Sequence, residues 1–282
     1  MENLKNKIDF AVVVSVKNAN PNGDPLNGNR PRVNYDGIGE LSDVCLKRKV
    51  RNRLLDAGFN IFVQSDDNKK DAYPSLRKRA EGELGAATLK DGKKLFDDSC
   101  AKWIDVRAFG QVFAYSGDKT DGVSVGVRGP VTIQSAFSVQ PVSVTSTQIT
   151  KSVSGEGDGK KKASDTMGMK HRVDHGVYVF YGSMNPQLAT KTKFSEDDAE
   201  AIKKVLTHLF ENDASSARPE GSMEVTKVFW WKHNSASGQY SSAKVHRTLH
   251  IEASSVEPKD IGDYKITTVD LDGLKPEILE GF

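Results

Sequence analysis

Two stretches of this chain are built to meet a polyanion, and several scattered residues have the types, though not the company, that catalysis needs. The first stretch runs Asn18-Ala-Asn20-Pro-Asn22-Gly-Asp-Pro-Leu-Asn-Gly-Asn29-Arg30-Pro-Arg32. Its asparagines and glycine-flanked N–H groups offer hydrogen bonds to phosphate or sugar, and Arg30 and Arg32 add charge on either side of a proline. The second stretch is a run of five cations in seven residues, Lys47, Arg48, Lys49, Arg51 and Arg53. On a helical wheel Leu46, Val50, Leu54 and Ala57 form the buried stripe, with cations on both flanks. Asp43 can pair with Lys47 and Asp56 with Arg53, whereas Arg48, Lys49 and Arg51 have no acid at helical spacing. Such a helix is either a solvated basic face or a holder of phosphates.

The enzyme-like constellations are weaker. His171–His175 and His246–His250 have metal-compatible i,i+4 spacing, but neither completes a His-Glu-x-x-His motif, so surface or RNA-facing histidines are the simpler reading. Gly155-Glu-Gly-Asp-Gly-Lys160 matches no phosphate-loop spacing and opens no helix. Cys45, beside lysines at a helix start, reads as a small buried residue rather than a nucleophile. Asp24, Asp36 and Asp43 could assist RNA cleavage, yet no metal cluster or paired base accompanies them in sequence. Catalysis, a metal and a cofactor are therefore not expected.

These residues need elements to hold them. Ile8, Phe10, Val12, Val14 and Val16 alternate, which predicts a strand with one apolar face. The Asn/Pro/Gly stretch must be a structured loop, and Ser42 caps a helix that stops at Gly58. Phe59 to Gln64 reads as a second strand, completing a βαβ unit. Residues 65 to about 97 form a polar insertion. A helix is expected over Asp98–Ala114, strands across Val123–Thr145, and an exposed excursion between Lys151 and Met169. Val177–Ser183 and Glu224–Lys232 read as strands around an amphipathic helix capped by Ser195. Two strand–helix–strand halves make an α+β, ferredoxin-like sheet of the kind RNA recognition motifs use.

Composition narrows the classes further. The chain has 282 residues, 37% hydrophobic and 28% charged, with a mean hydropathy of −0.51. That excludes a disordered chain and gives no apolar run long enough to span a bilayer. The Ile8–Val16 run contains Asp9 and lacks a cleavage site, so no signal peptide is expected, and two cysteines rule out a disulfide framework. A reducing cytoplasm is the expected setting. The net charge of +2 is uneven: residues 252–282 hold eight acids and three lysines, a net −5, leaving +7 for the rest. A basic body with an acidic end suggests a polyanion partner, a head-to-tail contact between copies, or both.

Five ordered motifs together resemble one family: Asn18-Ala-Asn-Pro-Asn-Gly-Asp-Pro25, the Asp43–Arg53 helix, Asp105-Val-Arg107-Ala-Phe109-Gly110, Arg128-Gly-Pro-Val-Thr-Ile-Gln134 and Gln148-Ile-Thr-Lys151-Ser. The chain resembles the backbone subunit of type I-C CRISPR surveillance complexes (Cascade), within the repeat-associated RNA-binding superfamily. The resemblance implies an RRM-like palm with inserted finger and thumb elements: first palm half 1–64, finger 65–118, palm and web strands 119–145, thumb 146–172, second palm half 173–251, acidic end 252–282. It implies a non-catalytic protein whose copies polymerise head to tail on crRNA, beside repeat-processing and large subunits, presenting bases to target DNA. Its RNA contacts would be Asn18, Asn20, Asn22, Arg30, Arg32, Lys47, Arg48, Lys49, Arg51, Arg128, Gln134, Gln148, Lys151, Lys170 and His171, with Met167 and Met169 as base wedges. The alternatives are a guide-dependent ribonuclease of the type III backbone kind, a metal enzyme using the histidine pairs, and a stand-alone RNA-binding protein. No Lys/Arg-Gly-Phe/Tyr-Gly/Ala-Phe signature occurs, so bases are not expected to stack on the sheet.

Overall fold

The computed structural model of the chain describes residues 2–114, 123–151 and 167–282. In chain order its strands and helices begin with β1 (Ile8–Ala19), β2 (Gly23–Asp24), β3 (Arg30–Pro31), β4 (Ile38–Leu41) and α1 (Asp43–Asp56). Then come α2 (Leu76–Leu84), α3 (Gly92–Lys102), α4 (Ile104–Phe109), β5 (Gln111–Ala114), β6 (Ser124–Val127), β7 (Val131–Ile133), β8 (Ala136–Pro141) and β9 (Val144–Thr150). The rest are β10 (Met167–Met184), α5 (Pro186–Thr192), α6 (Glu196–Thr207), β11 (Met223–Lys232), α7 (Ser242–His246), β12 (Leu249–Ala253), β13 (Tyr264–Thr268) and β14 (Glu277–Glu280). No described helix is long and apolar enough to cross a membrane.

The main sheet is antiparallel, with strand order β14-β11-β1-β10-β8-β4. β1 is its axis, pairing with β10 from Ile8↔Met184 to Ala19↔Val173 and with β11 from Ile8↔Lys232 to Val16↔Met223. The alternation in β1 predicts one buried face, but both are buried. Phe10, Val12, Val14 and Val16 meet Leu46, Val50 and Leu54 of α1 and Ile202 and Leu206 of α6. Ala11 and Val13 meet Val245 of α7 and Leu249 of β12 on the other side, beneath the β12–β13 hairpin. The acidic end is therefore built into its own subunit. β13 covers one sheet face, and β14 extends the edge, where Lys227 pairs with Glu280. Truncation at residue 251 would strip two strands from the core rather than free a tail.

The sequence-based elements need three further corrections. Residues 59–64 form no strand, so the first 64 residues are not a complete βαβ unit. The Phe62 and Val63 N–H groups donate to the Asp105 carboxylate at 2.7 and 3.0 Å instead of to a ladder. The strand beyond β10 is β8, through Tyr178↔Ser138 and Val179↔Phe137. The expected helix over 98–114 is broken at Trp103, whose backbone is extended, and ended at Gly110, at φ +84°; β5 follows. Gly110 and Gly129 lie back to back, and a Cβ on either would run into the other segment's backbone.

Helix α4 is the strut between these layers. Asp105, fully buried, also accepts from Arg51 Nε of α1 at 3.0 Å, and Arg51 lies over the Phe109 ring. Two residues on, from the other side of the helix, Arg107 grips Asp198 through two bonds of 2.8 and 2.7 Å. Asp198 is the N3 residue of α6 and completes its capping box with Ser195. Both carboxylates are out of water and are tolerable only because they are paired.

A second buried charge ties α7 and the segment after β11 to β1. Asp9 Oδ2 accepts from His233 Nε2 at 2.9 Å and Lys7 Nζ at 3.2 Å, and Oδ1 lies 3.8 Å from His246 Nε2. His233 Nδ1 accepts the Gln239 N–H at 2.9 Å, which assigns a neutral ring protonated at Nε2. Burial alone would raise the Asp9 pKa, but the His233, Ser242 and Lys7 contacts together hold it below the usual carboxylate range. Burial pushes His246 and His175 below the ordinary histidine value.

Two outcomes follow from these contacts. Arg107→Ala strands the buried Asp198 charge and is expected to cost about 3–5 kcal/mol in urea unfolding. Arg107→Lys, lacking the planar fork, recovers only part of it; a loss below about 1 kcal/mol would show that the clamp is dispensable. Because His175, His246 and Asp9 all have depressed folded values, the unfolded chain binds more protons in acid, so stability falls as pH drops below about 6.5. His246→Gln should flatten the upper part of that decline in a series of thermal melts; an unchanged profile would refute the assignment.

Candidate nucleic-acid interface

At the end of β1 the chain turns out of the sheet into a closed loop. Asn18 at φ +56° and Asn29 at +58° occupy the left-handed region, which asparagine tolerates. Asn20 is buried and its Nδ2 donates to the Asn29 carbonyl at 2.6 Å. Asn22 Oδ1 accepts from the Ser42 N–H and Oγ, both at 2.9 Å, mooring the loop to the start of α1. Between them β2 and β3 form a small ladder around Pro25–Asn27, where the Asp24 side chain accepts from the Leu26 N–H. Asn20 and Asn22 thus hold the loop itself. Asn18 and Arg30 are exposed, and Arg32 is half-buried with its guanidinium 3.6 Å from Asp24.

A two-stranded ribbon projects from the same end of the sheet. β9 pairs with the first part of β10 from Val144↔Val173 to Thr150↔Met167. Its base stands beside the end of β1, where Lys17 faces His175. The Val142 N–H joins it to the loop by donating to the Gly37 carbonyl at 2.9 Å. Met167 and Met169 are exposed on one ribbon face, with Gln148 Nε2 3.1 Å from the Met167 sulfur. Lys170 alternates to the opposite face and is exposed. His171 is buried, its Nδ1 2.8 Å from Ser146 Oγ, so it packs within the ribbon rather than facing a ligand. Lys151 is exposed just past β9. The glycine-rich Gly155–Lys160 run, and most of the expected excursion, lies outside the described residues.

The basic helix takes a different role from the one its charge suggests. Lys49 is only 4% exposed and pairs with Asp213, which also binds Arg218 at 3.0 Å. Arg51 is held by Asp105, Lys47 by Asp43 at 2.8 Å, and Arg53 by Asp56 and Glu211. Arg48 Nη1 reaches the Val63 carbonyl at 3.4 Å, and burial together with neighbouring Arg51 lowers its pKa. The acids that neutralise Lys49 and Arg51 lie 164 and 54 residues away, beyond any helical-spacing argument. Arg128 and Gln134, both exposed, are not brought to the loop. Gln134 N–H donates to the Tyr181 carbonyl, eight residues up β10 from Val173 and about 26 Å away at strand rise.

The remaining candidates disperse. His171 and His175 sit four residues apart on a strand, about 13 Å by strand rise, and His246 and His250 fall on a helix and a strand. Among the described residues no cluster of three His, Cys, Asp or Glu side chains is arranged to hold a metal. Both cysteines are free; burial pushes the Cys45 thiol up and that of Cys100 up to about 11. Sequence reasoning missed Asp9, Asp198 and Asp213, whose partners are distant. The Asp105-x-Arg107 motif was visible, but nothing local assigned it a structural task.

Comparison with known proteins adds a family. The family model described as "CRISPR-associated protein Cas7" matches residues 6–269. A "CRISPR-associated protein Cas7" of Haloferax volcanii is 27% identical over 228 residues, covering 75% of this chain and 66% of that protein, so the chain spans slightly under two thirds of its relative's length. A chain of a "CRISPR RNA-guided surveillance complex, pre-nicking" shares the fold at a TM-score of 0.51 and 14% identity, over 80% of this chain and 78% of that one. With its match running over nearly the whole length, from before β1 to just past β13, the chain belongs to the Cas7 family.

Proposed function

We propose that this protein is the guide-RNA-binding backbone subunit of a type I-C CRISPR interference complex. One observation carries the reading: a rigid loop bearing Arg30 and Arg32 stands beside a projecting ribbon with exposed Met167, Met169 and Lys170, at one end of the sheet. Cations beside a strand-end loop hold phosphates without reading sequence, and soft apolar side chains can part stacked bases. Family membership supports it, as does the order β11-β1-β10-β8 with α1 and α6 on one face, which suits an RRM-like palm. In this reading the segment around α2 and α3 is the finger and the ribbon the thumb. Copies assemble head to tail along crRNA, alongside other Cascade subunits, and pairing with target DNA supplies specificity.

The ribonuclease alternative has less behind it. Asp24 caps a turn and lies near Arg32, Asp43 is paired with Lys47, and exposed Asp36 belongs to no metal-holding cluster among the described residues. The protein is proposed to be non-catalytic; cleavage of a labelled complementary RNA with divalent metal would overturn that.

Phosphate contact from the loop has a salt signature. Arg30→Ala with Arg32→Ala should weaken binding equally for unrelated RNA sequences and lower the slope of log K against log salt by about 0.7 per lost contact. Lys49→Met should instead lower the melting temperature, because it leaves Asp213 with a single partner; the reverse pattern would return the phosphate site to the helix. If Met167 and Met169 part the guide, mismatches at regularly spaced positions should barely affect target binding. Mismatches between them should cost about 1.4 kcal/mol each, and uniform sensitivity along the guide would exclude the wedge.

A further inference from the structure

The loop beside the ribbon base presents two apolar side chains from hydrogen-bonded turns. Tyr35 is 109% and Leu26 96% exposed, each as open to water as in an extended chain. Neither sits on slack backbone. Asn34 Oδ1 accepts from the Asp36 and Ile38 N–H groups at 3.0 and 2.9 Å, and the Asn34 N–H returns a bond to the Ile38 carbonyl at 3.0 Å. Gly37, at φ +77°, closes the turn by donating to the Asn34 carbonyl at 3.1 Å, and its own carbonyl is held by Val142 at the ribbon base. Leu26 is held out by the Asp24-capped turn, with Asn29 N–H donating to the Asp24 carbonyl at 2.8 Å. Among the described residues Tyr35 has no ring contact or hydrogen-bonded side-chain partner, unlike Tyr181, which stacks on His246.

We infer that Tyr35 is a stacking platform for an unpaired base of the bound nucleic acid, with Leu26 and Arg30 bordering the same path. The inference rests on the RNA-binding reading above and adds to it the residue that meets bases rather than phosphates. The surroundings favour nucleic acid over a protein partner. A docking surface needs a contiguous apolar patch, but Leu26 and Tyr35 stand on separate turns among Asn29, Arg30, Arg32, Asn34 and Asp36. Isolated aromatic rings among cations and amides are what sequence-tolerant single-strand binding uses, because every base has a π-face. The position fits as well: the Val142–Gly37 bond puts Tyr35 beside the base of the ribbon, whose strand carries Met169 and Met167 about 20 and 26 Å farther out by strand rise. An unpaired base passing the base of the ribbon would meet an aromatic surface open to it, with no side-chain packing to break first.

The test uses the full chain with labelled oligouridine and oligoadenosine, each in a short and a long form. Tyr35→Ala should melt like the wild type, since the side chain packs on nothing, yet bind every RNA roughly 5- to 150-fold more weakly. Tyr35→Phe should bind within about twofold of the wild type and Tyr35→Trp at least as tightly, as ring stacking requires. Wild-type binding with Tyr35→Ala unaffected overturns the stacking role. So does Tyr35→Phe losing as much as Tyr35→Ala, which would mean a hydroxyl contact. A Tyr35→Ala defect confined to the number of copies on long RNA overturns it in favour of a subunit contact. A wild-type protein that binds none of these RNAs overturns the functional reading itself, which separates the two failures.

Discussion

Two buried ion pairs on either side of one short helix hold the Asn/Pro/Gly-loop end of this protein in place. Asp105 fixes α1 through Arg51, and Arg107 fixes the start of α6 through Asp198. Because α1 begins at Ser42, which Asn22 anchors, the position of the Asn/Pro/Gly loop depends on where α1 lies. The α1 end of that chain is also fixed through Lys49, Asp213 and Arg218, whose neighbour Ala217 accepts the Asn20 N–H at 2.8 Å. A charged side chain out of water has few tolerable geometries, so such pairs specify position even where they add little net stability. The loop's position is consequently set by the fold itself.

This division of labour changes what the positive charge means. A run of cations on a helix looks like a ligand surface when only local acids are considered. Once the chain folds, distant carboxylates occupy Lys49 and Arg51, and the cations still open to solvent near the loop are fewer and lie elsewhere. Three of the eight acids of the −5 end likewise meet cations of the +7 body within one subunit, through Lys203–Glu277, Lys227–Glu280 and Lys17–Asp260. Net charge asymmetry along a sequence therefore says little about assembly until the partners of each charge are known.

What the sequence made legible follows from the range of each interaction. Caps and periodicity are local, so α1 with its Ser42 cap, α6 with its Ser195 cap and the β11 strand are all readable. Burial of both faces of β1 was not, because the second cover comes from α7 and the β12–β13 hairpin more than 220 residues later. Residues 59–64 have strand-like composition, but their N–H groups are satisfied by one side chain, Asp105, which no propensity reports. The same holds at the interface: the loop's turn chemistry was plain, whereas the inward role of Asn20 and Asn22 and the outward one of Tyr35 required the fold.

Ultraviolet crosslinking of the full-length protein to single-stranded guide RNA, with the crosslinked peptides mapped by mass, tests the central claim most directly. Crosslinks should concentrate in residues 18–36 and in the ribbon strands 144–150 and 167–173, whatever the RNA sequence. Crosslinks confined to α1 and the segment around α2 and α3, or none at all, would contradict it.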